Sequence, residues 1–235
     1  MNGSVPEITL PELALAFLPV ALVLFILYRW SLGTGRASYA LARMLIQLGL
    51  IGYVLTFLFD TDQGWIVVVA LTVMLAAASW IALSPIRARD ARLYGRALTA
   101  IAIGSIPVLG LVTQVVLGAD PWYEPRYLVP LAGMIFANAM NTVSLAAERH
   151  MAETEAGTPG PEARRRSLQA ALIPTVNSLF AVGLVSLPGM MTGQILSGVS
   201  PLIAARYQIV VMCMLFSASG IAAACYLLLT GRGET

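Results

Sequence analysis

An all-α, polytopic membrane bundle of about seven transmembrane helices is what this sequence predicts, on three grounds. Hydrophobic residues make up 58% of the 235 residues and charged residues only 11%, with a mean hydropathy of +0.81, far more apolar than soluble domains. The apolar residues fall into seven runs, each near the ~20 residues that a helix needs to cross a bilayer core. Every Asp and Glu lies in a loop or at the end of a run. Seven such spans fill the chain, so residues 1–235 should form a single transmembrane domain, with no room for a soluble one.

The first span, Pro11 to Tyr28, has Glu7 and Glu12 at its start instead of basic residues, and no small-residue cleavage motif follows it. It reads as a retained helix, not a signal peptide. The second, Ser38 to Phe59, carries Arg43 and Gln47 four residues apart. Arg43 is close enough to the span end to extend its guanidinium toward water, which leaves Gln47 as the deeper polar group. The third and fourth spans run from Trp65 to Ser84 and from Tyr94 to Leu117. On the fifth, Tyr127 to Ala147, Met134, Asn138 and Asn141 fall at i, i+4 and i+7, and the face continues through Ser144 to Glu148. One amide in a span is most simply an interhelical hydrogen bond worth ~1 kcal/mol. Taken together the polar stripes point to a path through the bundle.

The sixth span, Pro174 to Gly198, carries the sharpest feature. Only fourteen residues separate Pro174 from Pro188, about 21 Å of helix against a core of about 30 Å. Pro188 and Gly189 therefore fall inside the bilayer, where a missing donor, a ring clash and added backbone freedom predict a kinked or broken helix, a hinge. Met190 and Met191 follow directly. Thioether sulfur is a soft ligand, and two of them do not identify a metal, so flexible packing at a moving joint is the simpler role. Asn177, Gln194 and, on the seventh span (Ala204 to Leu229), Gln208 complete the polar groups, which are tolerated in hydrocarbon only where protein or a water-filled cavity satisfies them.

All fourteen basic residues are Arg, and their placement sets an expected orientation. With the N-terminus outside and the C-terminus cytoplasmic, twelve lie inside, among them Arg87, Arg89 and Arg232, and only Arg126 and Arg206 outside. A basic inner face is explained by topology alone, without nucleic-acid binding or a specific lipid. Cys213 and Cys225 are twelve residues apart in one span, which makes a disulfide between them implausible.

Several chemistries are excluded or left without residues. The chain has no Lys, so the phosphate-cradling loop ending in Lys and Ser or Thr cannot occur. Its one histidine, His150, lies beside Arg149 at a helix end and cannot build a His-based zinc site. The spans carry no carboxylate to bind a coupling ion, so uphill transport would draw its work from a separate cytoplasmic subunit. No catalytic residue is expected, and no cofactor in this chain.

A partner of that kind needs a docking loop, and the longest cytoplasmic connection, residues 148–169, is the natural one. It should begin as a charged continuation of the fifth helix and turn at Gly157 to Pro161. A short elbow helix follows, with Pro161 in its first turn, Glu162 complementing the helix dipole, and Arg164, Arg165 and Arg166 behind. Glu148, Arg149, Glu153, Glu162 and the three arginines are the candidate coupling residues. A headgroup-anchoring surface helix accounts for the composition equally well.

The run Ala170 to Ser178, the run Gly183 to Gly193 and the tetrad Ala205 to Gln208 are similar to those of the FetB-type permeases, as are Arg43 with Ile46, Gln47 and Leu48, the run Gly52 to Leu55, and Pro130 to Met134 with Asn138 and Met140. Members of that family are membrane subunits of bacterial ABC transporters linked to iron export, with plant relatives linked to aluminium tolerance. The resemblance covers most of the chain. It implies a homodimeric permease in a two-plus-two complex with a cytoplasmic ATPase that binds ATP and Mg²⁺, in the inner membrane of a bacterium. The cargo would be iron or another metal ion, or a nucleotide sugar, with which the plant relatives are also associated. The path would run through spans two, five, six and seven, past Gln47, Asn138, Asn141, Asn177, Met190, Met191, Gln194 and Gln208. Asp60, Asp62, Asp120 and Glu124 are candidate cation ligands at the outer mouth, since hard cations prefer oxygen. A membrane scaffold or sensor that recruits a cytoplasmic protein is the alternative from a different class.

Overall fold

The computed structural model describes residues 8–86 and 90–231, nearly all of them helical. Glu7, Arg87, Arg89, Arg232 and Glu234 lie outside the described residues. The chain divides into two compact units, Met1–Asp60 and Thr61–Thr235.

In the first unit, α1 (Leu10–Leu15) and α2 (Phe17–Arg29) together make a 20-residue apolar stretch, and α3 (Thr34–Phe59) follows a turn at Gly33, whose φ is +55°. The acidic start of the first span has a local cause. The backbone N–H and the hydroxyl of Thr9 both donate to the Glu12 carboxylate, at 2.8 and 2.9 Å, closing the first helical turn. Side chains along α2 and α3 are mostly exposed and apolar, as suits helices facing lipid or further protein.

The second unit contains α4 (Gly64–Ala82), α5 (Ala91–Gly110), which runs on into a π-helical turn at Leu111–Val116, then α6 (Pro125–Glu155), α7 (Gly160–Ala181), α8 (Gly189–Leu196) and α9 (Pro201–Gly231). Its core mixes large side chains such as Ile101, Ile135, Met214 and Tyr226 with many small ones. Gly104 of α5 packs against Ala218 and Ala222 of α9, and Ala97, Ala100, Ala218, Ala222 and Ala223 are all buried. A Cβ on Gly104 would lie 2.6 Å from the Ala222 nitrogen and 2.7 Å from the Ala218 carbonyl oxygen. Only glycine permits this approach, and without a hydrophobic driving force between helices in lipid such close backbone packing is what holds them together. Cys213 and Cys225 are both free.

Among the described residues, six helices are long and apolar enough to cross a membrane: Leu10–Arg29, Thr34–Phe59, Gly64–Ala82, Ala91–Val116, Pro125–Glu155 and Pro201–Thr230. They correspond to the first five expected spans and the seventh. The sixth is organised differently. The elbow and the start of the span are one continuous helix, α7, which begins with Pro161 in its first turn as expected but accommodates Pro174 in its interior. The break then comes before Pro188. α7 stops at Ala181, and Gly183 adopts φ +82°, the left-handed conformation that ends helices at low cost. The Val185 and Ser186 N–H groups turn back onto the Ala181 carbonyl at 2.8 and 3.1 Å, and the Gly183 N–H donates to the Ser186 carbonyl at 2.9 Å. Pro188 is the residue that starts the next helix: extended at φ −62°, ψ 144°, it stands immediately before α8, and Gly189 is the first helical residue.

Candidate functional site

The interruption between α7 and α8 opens a cavity of about 350 Å³ within the second unit. α6 contributes Met134 and Asn138, and α7 contributes Thr175, Ser178 and, just past its end, Val182. Ser186, Pro188, Gly189 and Met190 close one side, and Gln208 and Met212 of α9 the other. Thr175, Ser178 and Val182 are spaced i, i+3, i+7, so the α7 wall is one face of that helix. The Asn138 amide donates to the Met134 carbonyl at 3.1 Å, which orients it, and the Ser178 hydroxyl donates to the Pro174 carbonyl at 2.9 Å. Gln208 is only 6% exposed, and among the described residues nothing donates to its Oε1. A second cavity of about 340 Å³ shares Val182, Gln208 and Met212 and is otherwise apolar, with Met191, Ile209 and Leu179 in its wall.

Of the residues expected along a path, Asn138, Met190 and Gln208 therefore meet in one cavity with Pro188 and Gly189, and Met191 lies in the adjoining one. Gln194, on α8, is half-buried, with no donor to its Oε1 among the described residues. Asn141 and Asn177 are exposed, and Gln47 is exposed on α3 of the first unit. The hydroxyls Thr175, Ser178 and Ser186 were missed. The available signal was the helical face that Thr175 and Ser178 share, and for Ser186 its place beside Pro188.

At the opposite end, α6 and α7 form a hairpin about the four residues 156–159, where Gly157 takes φ +76°. Glu153, 5% exposed, pairs with Arg149, with Arg166 at 3.4 Å and with the Thr158 hydroxyl at 2.8 Å. Glu162 accepts two bonds from Arg165, both 2.9 Å, and one from Arg166 at 2.8 Å. Those hydrogen bonds, from Arg165 first and then Arg166, hold its carboxyl down to about 2. Most of the expected coupling residues thus fasten the hairpin. Arg164 is half-buried and Glu148 exposed.

The acids expected at the outer mouth have local placements. Asp60 ends α3, Asp62 offers its backbone carbonyl to the Tyr123 hydroxyl at 2.7 Å, Asp120 is exposed, and Glu124 caps α6 by accepting from the Arg126 N–H at 3.3 Å. Among the described residues no three His, Cys, Asp or Glu side chains gather to hold a metal ion.

Residues 10–164 and 159–233 match the model of the Uncharacterised protein family (UPF0014). The chain belongs to this family. Similar proteins include the UPF0014 membrane protein slr1647 of Synechocystis, 39% identical over 76% of this chain and 75% of its own length. The Probable iron export permease protein FetB of Escherichia coli K12 is 33% identical over 94% of this chain and 91% of its own. The Protein ALUMINUM SENSITIVE 3 of Arabidopsis thaliana is 34% identical over 88% and 80%. No solved structure matches the chain. The resemblance read from the motifs extends over nearly the whole length, and the UPF0014 match takes in both units, the cavity and the hairpin. The protein is a multi-pass integral membrane protein of the UPF0014 family.

Proposed function

We propose that this UPF0014 chain is the membrane-spanning subunit of an ABC transporter and exports a solute, a metal ion and iron in the first place, across the inner membrane of a bacterium. The observation that carries the reading is the cavity at the interrupted helix, a polar pocket inside an otherwise apolar bundle. Irregular backbone at membrane depth is tolerated where it lines such a cavity, and carriers place their cargo at discontinuous helices of this kind. The relative named as a probable iron export permease supports the cargo.

The chain has no Lys to complete a nucleotide loop, and among the described residues no carboxylate lines the cavity. ATP and Mg²⁺ are then bound by a separate cytoplasmic ATPase, two of which serve two copies of this chain. The α6–α7 hairpin, rich in arginine, is its docking point, and the N-terminus faces outward in accord with the distribution of arginines. Closure of the ATPase pair rocks the helices about the break and exposes Asn138, Met190 and Gln208 alternately to each side.

The test is reconstitution of the chain in vesicles with the ATPase encoded beside it. Stimulated ATP hydrolysis and ATP-dependent iron efflux, unaffected when ion gradients are collapsed, are the expected result. ATPase binding without stimulated turnover would make the chain a scaffold instead.

A further inference from the structure

α8 begins inside the cavity with its first turn uncapped. Pro188 makes no side-chain cap, Thr192 is the first residue whose N–H bonds back into the turn, at 3.0 Å to the Pro188 carbonyl, and the Gly189, Met190 and Met191 N–H groups have no acceptor among the described residues. Gly189 and Met190 line the cavity. A helix start carries a partial positive charge and free donors, the arrangement that holds anions in water-soluble proteins and anionic cargo groups in carriers. On the facing wall is Gln208, 94% buried by its 6% exposure, with Oε1 lacking a donor among the described residues. A buried carbonyl left this way is destabilising, and a hydroxyl donated by a bound molecule would recover the loss.

The surrounding charge has the same sense. No Asp or Glu lines this cavity, so a bare cation would meet the positive end of α8 with nothing to neutralise it. Next door, Arg126 brings a positive charge to a smaller cavity that shares Met190 and Val211 with this one.

We infer that the break is an oxyanion subsite. The free N–H groups of α8 donate to a carboxylate or phosphate group of the cargo, and a hydroxyl of the same molecule donates to Gln208 Oε1. On the transport reading above, metal then leaves as an anionic hydroxy-acid or phosphate complex and not as a bare ion. Asn138, Ser178 and Ser186 supply neutral polar contacts around it.

Equilibrium binding to the full-length chain in lipid nanodiscs, without ATPase or ATP, tests the subsite apart from transport. The probes are citrate, inorganic phosphate, iron(III) citrate and chelator-free iron(II) chloride. Citrate and iron(III) citrate should bind and compete with each other while iron(II) chloride does not, and phosphate binding in place of citrate would identify a phosphorylated cargo. Gly189→Pro removes one N–H while suiting the first helical position, and Pro188 is already in the extended conformation required before a proline. It should weaken oxyanion binding about tenfold, the effect of one charge-assisted hydrogen bond, and Gln208→Leu should weaken it about fivefold, the effect of one neutral hydrogen bond. Circular dichroism of the unliganded variants separates loss of the site from loss of the fold. Binding of iron(II) chloride with no oxyanion bound by the wild-type chain would overturn the subsite whatever the variants do, as would full affinity in a folded Gly189→Pro. Oxyanion affinity without ATP-driven efflux would remove the transport reading and keep the subsite, and efflux without oxyanion affinity would do the opposite.

Discussion

Where α5 crosses α9, a Cβ on Gly104 would press within 2.6 Å of the α9 backbone; where α7 ends, a Cβ on Gly183 would meet nothing within 4 Å, yet φ is +82°. The first glycine is needed for space and the second for conformation. One closes a seam so tightly that two long helices act as a frame. The other lets a helix stop inside that frame and leave a cavity beside it. The contrast explains how a bundle of mostly apolar side chains holds a polar pocket without loosening: the opening is made by interrupting a backbone, not by thinning the core.

The largest expected effect comes from filling the seam. Gly104→Leu should cost more than the 1–3 kcal/mol of ordinary overpacking, because the clash is with backbone, and should abolish recovery of monodisperse protein from detergent. Normal yield and melting temperature would mean that α5 and α9 are free to separate. The cavity side should answer in the opposite sense. Gln208→Leu replaces a buried carbonyl that has no donor and should raise stability by about 1–2 kcal/mol in thermal denaturation while impairing efflux. Gly183→Ala should cost about 1–2 kcal/mol through left-handed strain alone, with no new contact, and slow transport more than it reduces assembly.

The smallest effect concerns the hairpin. With its folded value lowered from 4.5 to about 2, Glu162 stays ionised where an ordinary carboxylate protonates, so its contribution is present above 4.5 and lost as pH falls through about 2. Side-chain carbon NMR of Glu162 should show its titration near 2. A midpoint close to 4.5 would mean that Arg165 and Arg166 do not hold it in solution.

Six spans were legible because a 20-residue apolar run settles both the helix and its length. The interruption was legible in kind but not in extent. Val182 to Leu187 is an apolar stretch, so hydropathy continues through it although the helix does not, and the proline at 188 drew the break to itself. In the cavity, Asn138, Met190 and Gln208 could be picked out by chemistry. Asn141 and Asn177 could not be separated from them, because each residue turns 100° about its helix and the inward direction depends on which neighbours pack there. That the hairpin carboxylates pair within the hairpin was not legible, since pairing of Glu153 with Arg166, thirteen positions on, requires the turn to be in place.

That pairing also restricts where the pocket can change width. Glu153 bolts α6 to α7 at their shared corner, and the pocket residues stand farther along the same two rods, Asn138 about 22 Å from Glu153 and Thr175 about 14 Å from Arg166. Such a stave can tilt, but its halves cannot slide past each other. The opposite bank, where Met190 and Gln208 stand, is the side of the pocket that this joint does not hold.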